Sequence, residues 1–169
     1  MKVIAQIIER ITHGMHLLGG MFLITMMVIT LFDVFTRGLF SMTDGAVDWT
    51  ILGGIELVKY SLLFTVLFIL PHSVSRSQVI VDLFTERLQA RTKKVLEAIY
   101  ILCFGLMGIG MSYSFYHLVD EAAMSYETTQ DLLIPLTYFY AAACFATFML
   151  AVSAVMHALQ LLFSKKAGS

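Results

Sequence analysis

A chain of 169 residues that is 59% hydrophobic, with a mean hydropathy of +0.82, is too apolar for an ordinary soluble domain, whose apolar share is about 45–50%. The formal net charge of −1 gives no support for binding to nucleic acid. The two cysteines, Cys103 and Cys144, both fall inside apolar runs, which reads as buried inert thiols and excludes a disulfide framework.

The first segment, MKVIAQIIERITHG, sets Val3, Ile4, Ile7, Ile8 and Ile11 at helical spacing with Lys2, Gln6, Glu9 and Arg10 between them. That pattern predicts an amphipathic helix lying in the membrane interface before the chain turns into the bilayer. The apolar run that follows is too long for the core of a secretory signal, and no small-residue cleavage site ends it. It is the first predicted crossing, roughly 15–36, closing on Asp33 and Arg37, an i,i+4 pair whose members should pair or face protein at that depth. A short acidic stretch from Ser41 to Asp48 leads to the second crossing, roughly 49–72. At 1.5 Å per residue it is about 36 Å long, enough to traverse a hydrocarbon layer about 30 Å thick. Glu56 and Lys59 lie three residues apart near its start, where they can neutralise each other, and Pro71 and Arg76 mark its other end.

The next segment, SRSQVIVDLFTERLQARTKK, mixes Val79, Ile80, Leu83, Phe84 and Leu88 with charges at helical spacing and predicts a second surface helix. The third crossing, roughly 95–116, carries Gly105, Gly108, Gly110 and Ser112 as sites of close helix contact. An acidic loop over 117–131 precedes the fourth, roughly 132–163. Pro135 suits its first turn, and Ala143, Thr147 and Ala151 form a small-residue face. Nine of the eleven Lys and Arg (Lys2, Arg10, Arg76, Arg87, Arg91, Lys93, Lys94, Lys165 and Lys166) fall on one side of this model; only Arg37 and Lys59 lie toward the other. The basic side is cytoplasmic, so both termini are expected inside. The expectation is one all-α, four-helix integral membrane domain over 1–169, multi-pass in the bacterial inner membrane, with no internal repeat.

No phosphate-binding glycine loop and no nucleophile triad is legible, so no enzyme activity is expected. His16, His72 and His157 share the cytoplasmic level, with His117 at the opposite one, so a haem-bearing membrane anchor of a redox enzyme stays open as an alternative. A free-standing small transporter or assembly factor is another. Glu56–Lys59 reads as an interfacial ion pair, as a contact to a partner helix, or as a substrate or ion site. Transport pathways use broken helices and midplane polar groups. The helix middles here are almost purely apolar, so the chain is not expected to move a substrate by itself.

Read in order, the motifs resemble the small membrane subunit of tripartite ATP-independent periplasmic (TRAP) transporters along nearly the whole chain. That family ends its first crossing on Asn/Asp-Val-x-x-Arg-x-x-Phe, here Asp33, Val34, Arg37 and Phe40. A Trp and an acidic residue precede a basic-aromatic pair, here Trp49, Glu56, Lys59 and Tyr60. The loop that usually reads Arg-x-x-His-x-x-x-Asp offers Arg76 and Asp82, with Gln78 where His is usual. The fourth crossing is entered by Leu132, Ile134, Pro135 and Tyr138. Gly53-Gly54-Ile55 replaces the commoner acidic neighbour of Glu56, so no double carboxylate is expected. The resemblance implies a large partner subunit that binds sodium and substrate and moves in an elevator-like way. It also implies a periplasmic binding protein that docks on the outer face with an organic acid, such as a C4-dicarboxylate or a sialic acid. The small subunit would be a fixed scaffold with no cofactor of its own. Asp33, Arg37, Trp49, Glu56, Lys59, Arg76 and Asp82 would be its partner-contacting or structural polar residues.

Overall fold

The computed structural model describes residues 2–44, 49, 53–74 and 90–163. Within them the chain is all-helical: α1 (Lys2–Met42), α2 (Gly54–Ser73), α3 (Ala90–Ser125) and α4 (Leu136–Phe163). Each contains a stretch long and apolar enough to cross a membrane, over Ala5–Met42, Gly54–Ser73, Val95–Ser125 and Leu136–Leu161. At 1.5 Å per residue, the 20 residues of α2 match a hydrocarbon layer of about 30 Å, and the 41 of α1 and 36 of α3 exceed it.

Four boundaries differ from the sequence pattern, the fourth crossing among them: α4 starts at Leu136 and not near 132, and Pro135 lies before it, bridged to Thr128, not in its first turn. The N-terminal segment does not turn before the first crossing; it continues into it as one helix, because no proline interrupts 2–42. The second crossing starts at Gly54, and Trp49 lies exposed outside it. The acidic loop over 117–131 is helical as far as Ser125, since 117–125 holds no Gly or Pro and Ala122 finds a buried site. The expected surface helix falls mainly on residues 75–89, outside those described.

The helices pack mainly in the order α1, α2, α4, α3, with a slight contact from α1 to α4. Small residues make the α3–α4 contact close. A Cβ on Gly105 would lie 3.3 Å from the Ala154 Cβ; one on Gly108 would lie 3.0 Å from the Ala151 nitrogen and 3.1 Å from the Thr147 oxygen. Gly110, grouped with these by sequence, faces open space. The Ser112 hydroxyl reaches the Cys144 carbonyl at 3.5 Å, which leaves Cys144 half-buried in the seam, whereas Cys103 is exposed and not buried as expected. The α1–α2 seam has the same character. A Cβ on Gly19 would meet Ile69 at 2.8 Å, and Phe22 packs on Phe64 and Phe68 with ring centroids 5.4 and 5.9 Å apart.

Two clusters join the pairs. Val74, Ile101, Leu150, Ala154 and Ala158 form one at the end carrying the termini, and Met15, Leu67, Ala143 and Ala146 form the other. Beside the first cluster the buried Ser153 hydroxyl donates to the Pro71 carbonyl at 2.9 Å. That carbonyl belongs to the last turn of α2.

Gly108→Ala should force α3 and α4 apart, because the obstacle is backbone, and cost about 1–3 kcal/mol. Gly110→Ala should be near neutral. Equal denaturation midpoints for the two variants in detergent would contradict the packing described.

Candidate functional site

Polar chemistry concentrates at the end of the bundle opposite the termini, where the turn over 126–135 joins α3 to α4. The turn closes on itself. The Thr129 N–H donates to the Ile134 carbonyl at 2.9 Å, the Leu136 N–H to the Glu127 carbonyl at 3.0 Å, and the Ile134 N–H to the Thr129 hydroxyl at 3.1 Å. Thr128 and Pro135 form an antiparallel bridge. Tyr126 and Leu133 both take left-handed backbone conformations, φ 54° and 53°, that cost a non-glycine residue energy.

Glu56, in the first turn of α2, holds the centre of this turn. Its carboxylate accepts the Gln130 N–H at 2.9 Å on Oε1, and the Asp131 and Leu132 N–H groups at 3.1 and 3.0 Å on Oε2. Three successive backbone donors converging on one anion form a nest. Gly53, just before α2, makes the approach possible. Its φ of 78° suits glycine, and a Cβ there would press on Leu132 at 3.0 Å. Beside the clamp, Tyr60 stacks on Phe139 at 4.1 Å between centroids, and the Lys59 ammonium lies 5.6 Å from the Tyr60 ring centroid. Glu56, Lys59, Tyr60, Gln130, Asp131 and Tyr140 lie on the wall of an open cleft of about 540 Å³.

The sequence-derived candidates separate as follows. Asp33 and Arg37 pair as expected, Nε to Oδ2 at 2.9 Å, with Arg37 57% exposed and Asp33 only 19%. Glu56 and Lys59 do not form the expected ion pair: the backbone nest takes the carboxylate, and the lysine lies along Tyr60. Arg76, Gln78 and Asp82 lie outside the described residues. Sequence reasoning missed the turn over 126–135 as the partner of Glu56. The signal was slight, since neither left-handed position carries the Gly or Asn that announces such a turn.

His13, His16 and His72 group at the opposite end. His72 lies 4.9 Å from His16 and 5.5 Å from His13, ring centroid to centroid. Rings in direct contact leave no gap for a macrocycle between His16 and His72, so a haem bridging that pair does not fit.

Comparison with known families gives a match over residues 26–164 to the DctQ component of tripartite ATP-independent periplasmic transporters. The chain belongs to this family. It is thus related to the small membrane component of TRAP transporters, which works with a large membrane subunit and a periplasmic binding protein. Neither curated proteins nor solved structures give a match. The matched segment contains all seven polar candidates together with the clamp, and a transporter component does not favour the haem-anchor alternative.

Two outcomes follow from this geometry. Glu56→Leu should free the Gln130, Asp131 and Leu132 N–H groups to solvent and loosen the turn. Glu56→Gln, which keeps the acceptor oxygen, should loosen it less. Amide exchange at Gln130, Asp131 and Leu132 should speed up sharply in the Leu variant; protection equal to wild type would refute the clamp. Arg37→Leu should lower the amount of folded protein more than Asp33→Leu/Arg37→Leu, because the single change abandons a half-buried carboxylate. The test is the yield of monodisperse protein, and equal losses would argue against the pair.

Proposed function

We propose that this chain is the fixed scaffold subunit of a sodium-coupled, binding-protein-dependent importer of an organic acid such as a C4-dicarboxylate or a sialic acid. In this reading it lies in the bacterial inner membrane with both termini in the cytoplasm. It holds the large substrate-carrying subunit in place and touches neither substrate nor sodium. The nine-to-two division of Lys and Arg supports the orientation. The clamped turn then lies on the outer side.

One observation carries the scaffold role: polar chemistry is confined to the helix ends. The seams are filled by Gly, Ala, Thr, Leu and Phe, and the polar groups inside them are hydroxyls bonded to carbonyls, Thr65 to Ser61, Thr147 to Ala143 and Ser153 to Pro71. A transport pathway needs polar groups near mid-membrane and helices broken to expose their ends. The four helices are continuous over their described lengths. α1 is the natural seat for the large subunit. Its membrane-spanning window is only 6% buried, and its exposed side carries Met21, Ile24, Val28, Leu31 and Phe35. Packing drives helix association in lipid, and this apolar face of α1 offers it.

The test is uptake of a labelled C4-dicarboxylate or sialic acid into vesicles under an inward sodium gradient, with the binding protein outside. Vesicles holding the large subunit and this chain should accumulate substrate, and those with either chain alone should not. Full uptake by the large subunit alone would overturn the scaffold reading.

A further inference from the structure

We infer that the Glu56-clamped turn is the docking element for the soluble binding protein, presenting an apolar contact set within an acidic rim. The inference rests on the transporter reading above and adds which residues meet that partner and what the partner's surface must be.

The first observation is position. Ser112 meets Cys144, Phe115 meets Tyr140 and Gly108 meets Thr147, so antiparallel register sets the start of α4 level with about residue 120 of α3. The last turn of α3 therefore stands about 8 Å beyond the start of α4. From Lys94 to Asp120 the helix is already about 39 Å long, more than the hydrocarbon thickness. Met124, Tyr126 and Leu133 thus lie in water or headgroups.

The second observation is exposure. These three apolar side chains are 82%, 88% and 70% exposed. The two on the turn are presented by strained left-handed backbone, which persists only because Glu56, Thr129 and the Thr128–Pro135 bridge hold the turn in shape. The clamp serves the fold by tying α2 to the turn, yet it leaves the outward Tyr126 and Leu133 side chains largely uncovered. A preformed contact surface loses less entropy on docking.

The third observation is charge. Asp120, Glu121, Glu127 and Asp131 are all exposed, and no Lys or Arg occurs between Lys94 and Lys165. The rim formed by α3 and the turn is therefore acidic, with Lys59 of α2 on the wall of the adjoining cleft. A headgroup layer does not attract carboxylates as it attracts Lys and Arg. An acidic rim around apolar side chains is suited instead to a soluble protein whose own apolar contact is rimmed by Lys and Arg. An interface of ordinary size buries about 800 Å² on each side, enough to cover the turn and the tip of α3. The large subunit is the less apt occupant, because it must pack along the membrane-spanning faces, and this surface projects past them.

The experiment uses the complex of the large subunit with this chain, held in lipid nanodiscs, and the binding protein of the same transporter as the analyte. The variant Tyr126→Asn/Leu133→Asn removes the apolar contact while keeping residues that accept left-handed backbone. The affinity of the binding protein should fall roughly tenfold or more. Glu127→Lys should slow association, and added salt should slow the wild type but affect Glu127→Lys less. Unchanged affinity and salt dependence in these variants, with wild type binding normally, would overturn the docking assignment and leave the transporter reading intact. Loss of co-purification with the large subunit would also overturn it, by showing that this chain's membrane partner covers the turn. A wild-type complex that does not bind the binding protein at all would instead sink the transporter reading itself.

Discussion

The tie between α2 and the α3–α4 turn decides whether the two helical pairs are one structure. Each pair, α1 with α2 and α3 with α4, zips along its own small-residue seam and needs nothing from the other to satisfy its backbone. Glu56 changes that. A single carboxylate takes three N–H groups that no helix claims, so the turn has its low-energy shape only while α2 stands beneath it. At the far end, Ser153 takes up the Pro71 carbonyl, and Val74 enters the cluster with Ile101 and Ala154. The α2–α4 seam is therefore fixed at both ends by specific polar or packing contacts and filled by apolar contact between them.

The membrane explains why so few polar contacts suffice. Inside hydrocarbon, backbone groups must be satisfied within the helices themselves, which leaves side chains free to specify who packs on whom. With no water-driven term between helices, the closeness permitted by Gly19, Gly105 and Gly108 supplies the attraction. Buried hydroxyls remain acceptable where they find a carbonyl. Thr147 donates to Ala143, and Thr36 donates to Asp33.

Four membrane helices were legible in the sequence because long apolar runs are the strongest signal a chain can carry, and the Asp33–Arg37 pair was legible because i,i+4 spacing on a helix is local. The helix ends were less so. Residues 117–125 look like an acidic loop by charge, yet charge at the end of a helix does not stop it; a residue that cannot continue the helix does, and none stands there. The fate of Glu56 was out of reach for a different reason. Its partners lie 74 to 76 residues away and are backbone groups, which every sequence supplies and none advertises. Lys59 was the nearer and more visible partner, and the geometry passed it over for the stacked Tyr60.

The order α1, α2, α4, α3 gives the molecule an unusual outline for four helices. A square bundle hides one flank of every helix at its centre. A row has no centre. The row is not straight, because α1 also touches α4. Such a wall resists shear in its own plane, where helices would have to slide along interlocked glycine seams. It yields more readily by bending about the middle seam, as a screen folds about its hinge. The contacts at the two ends of that seam then act as hinge pins, setting how far the two leaves can fold toward or away from whatever stands beside them.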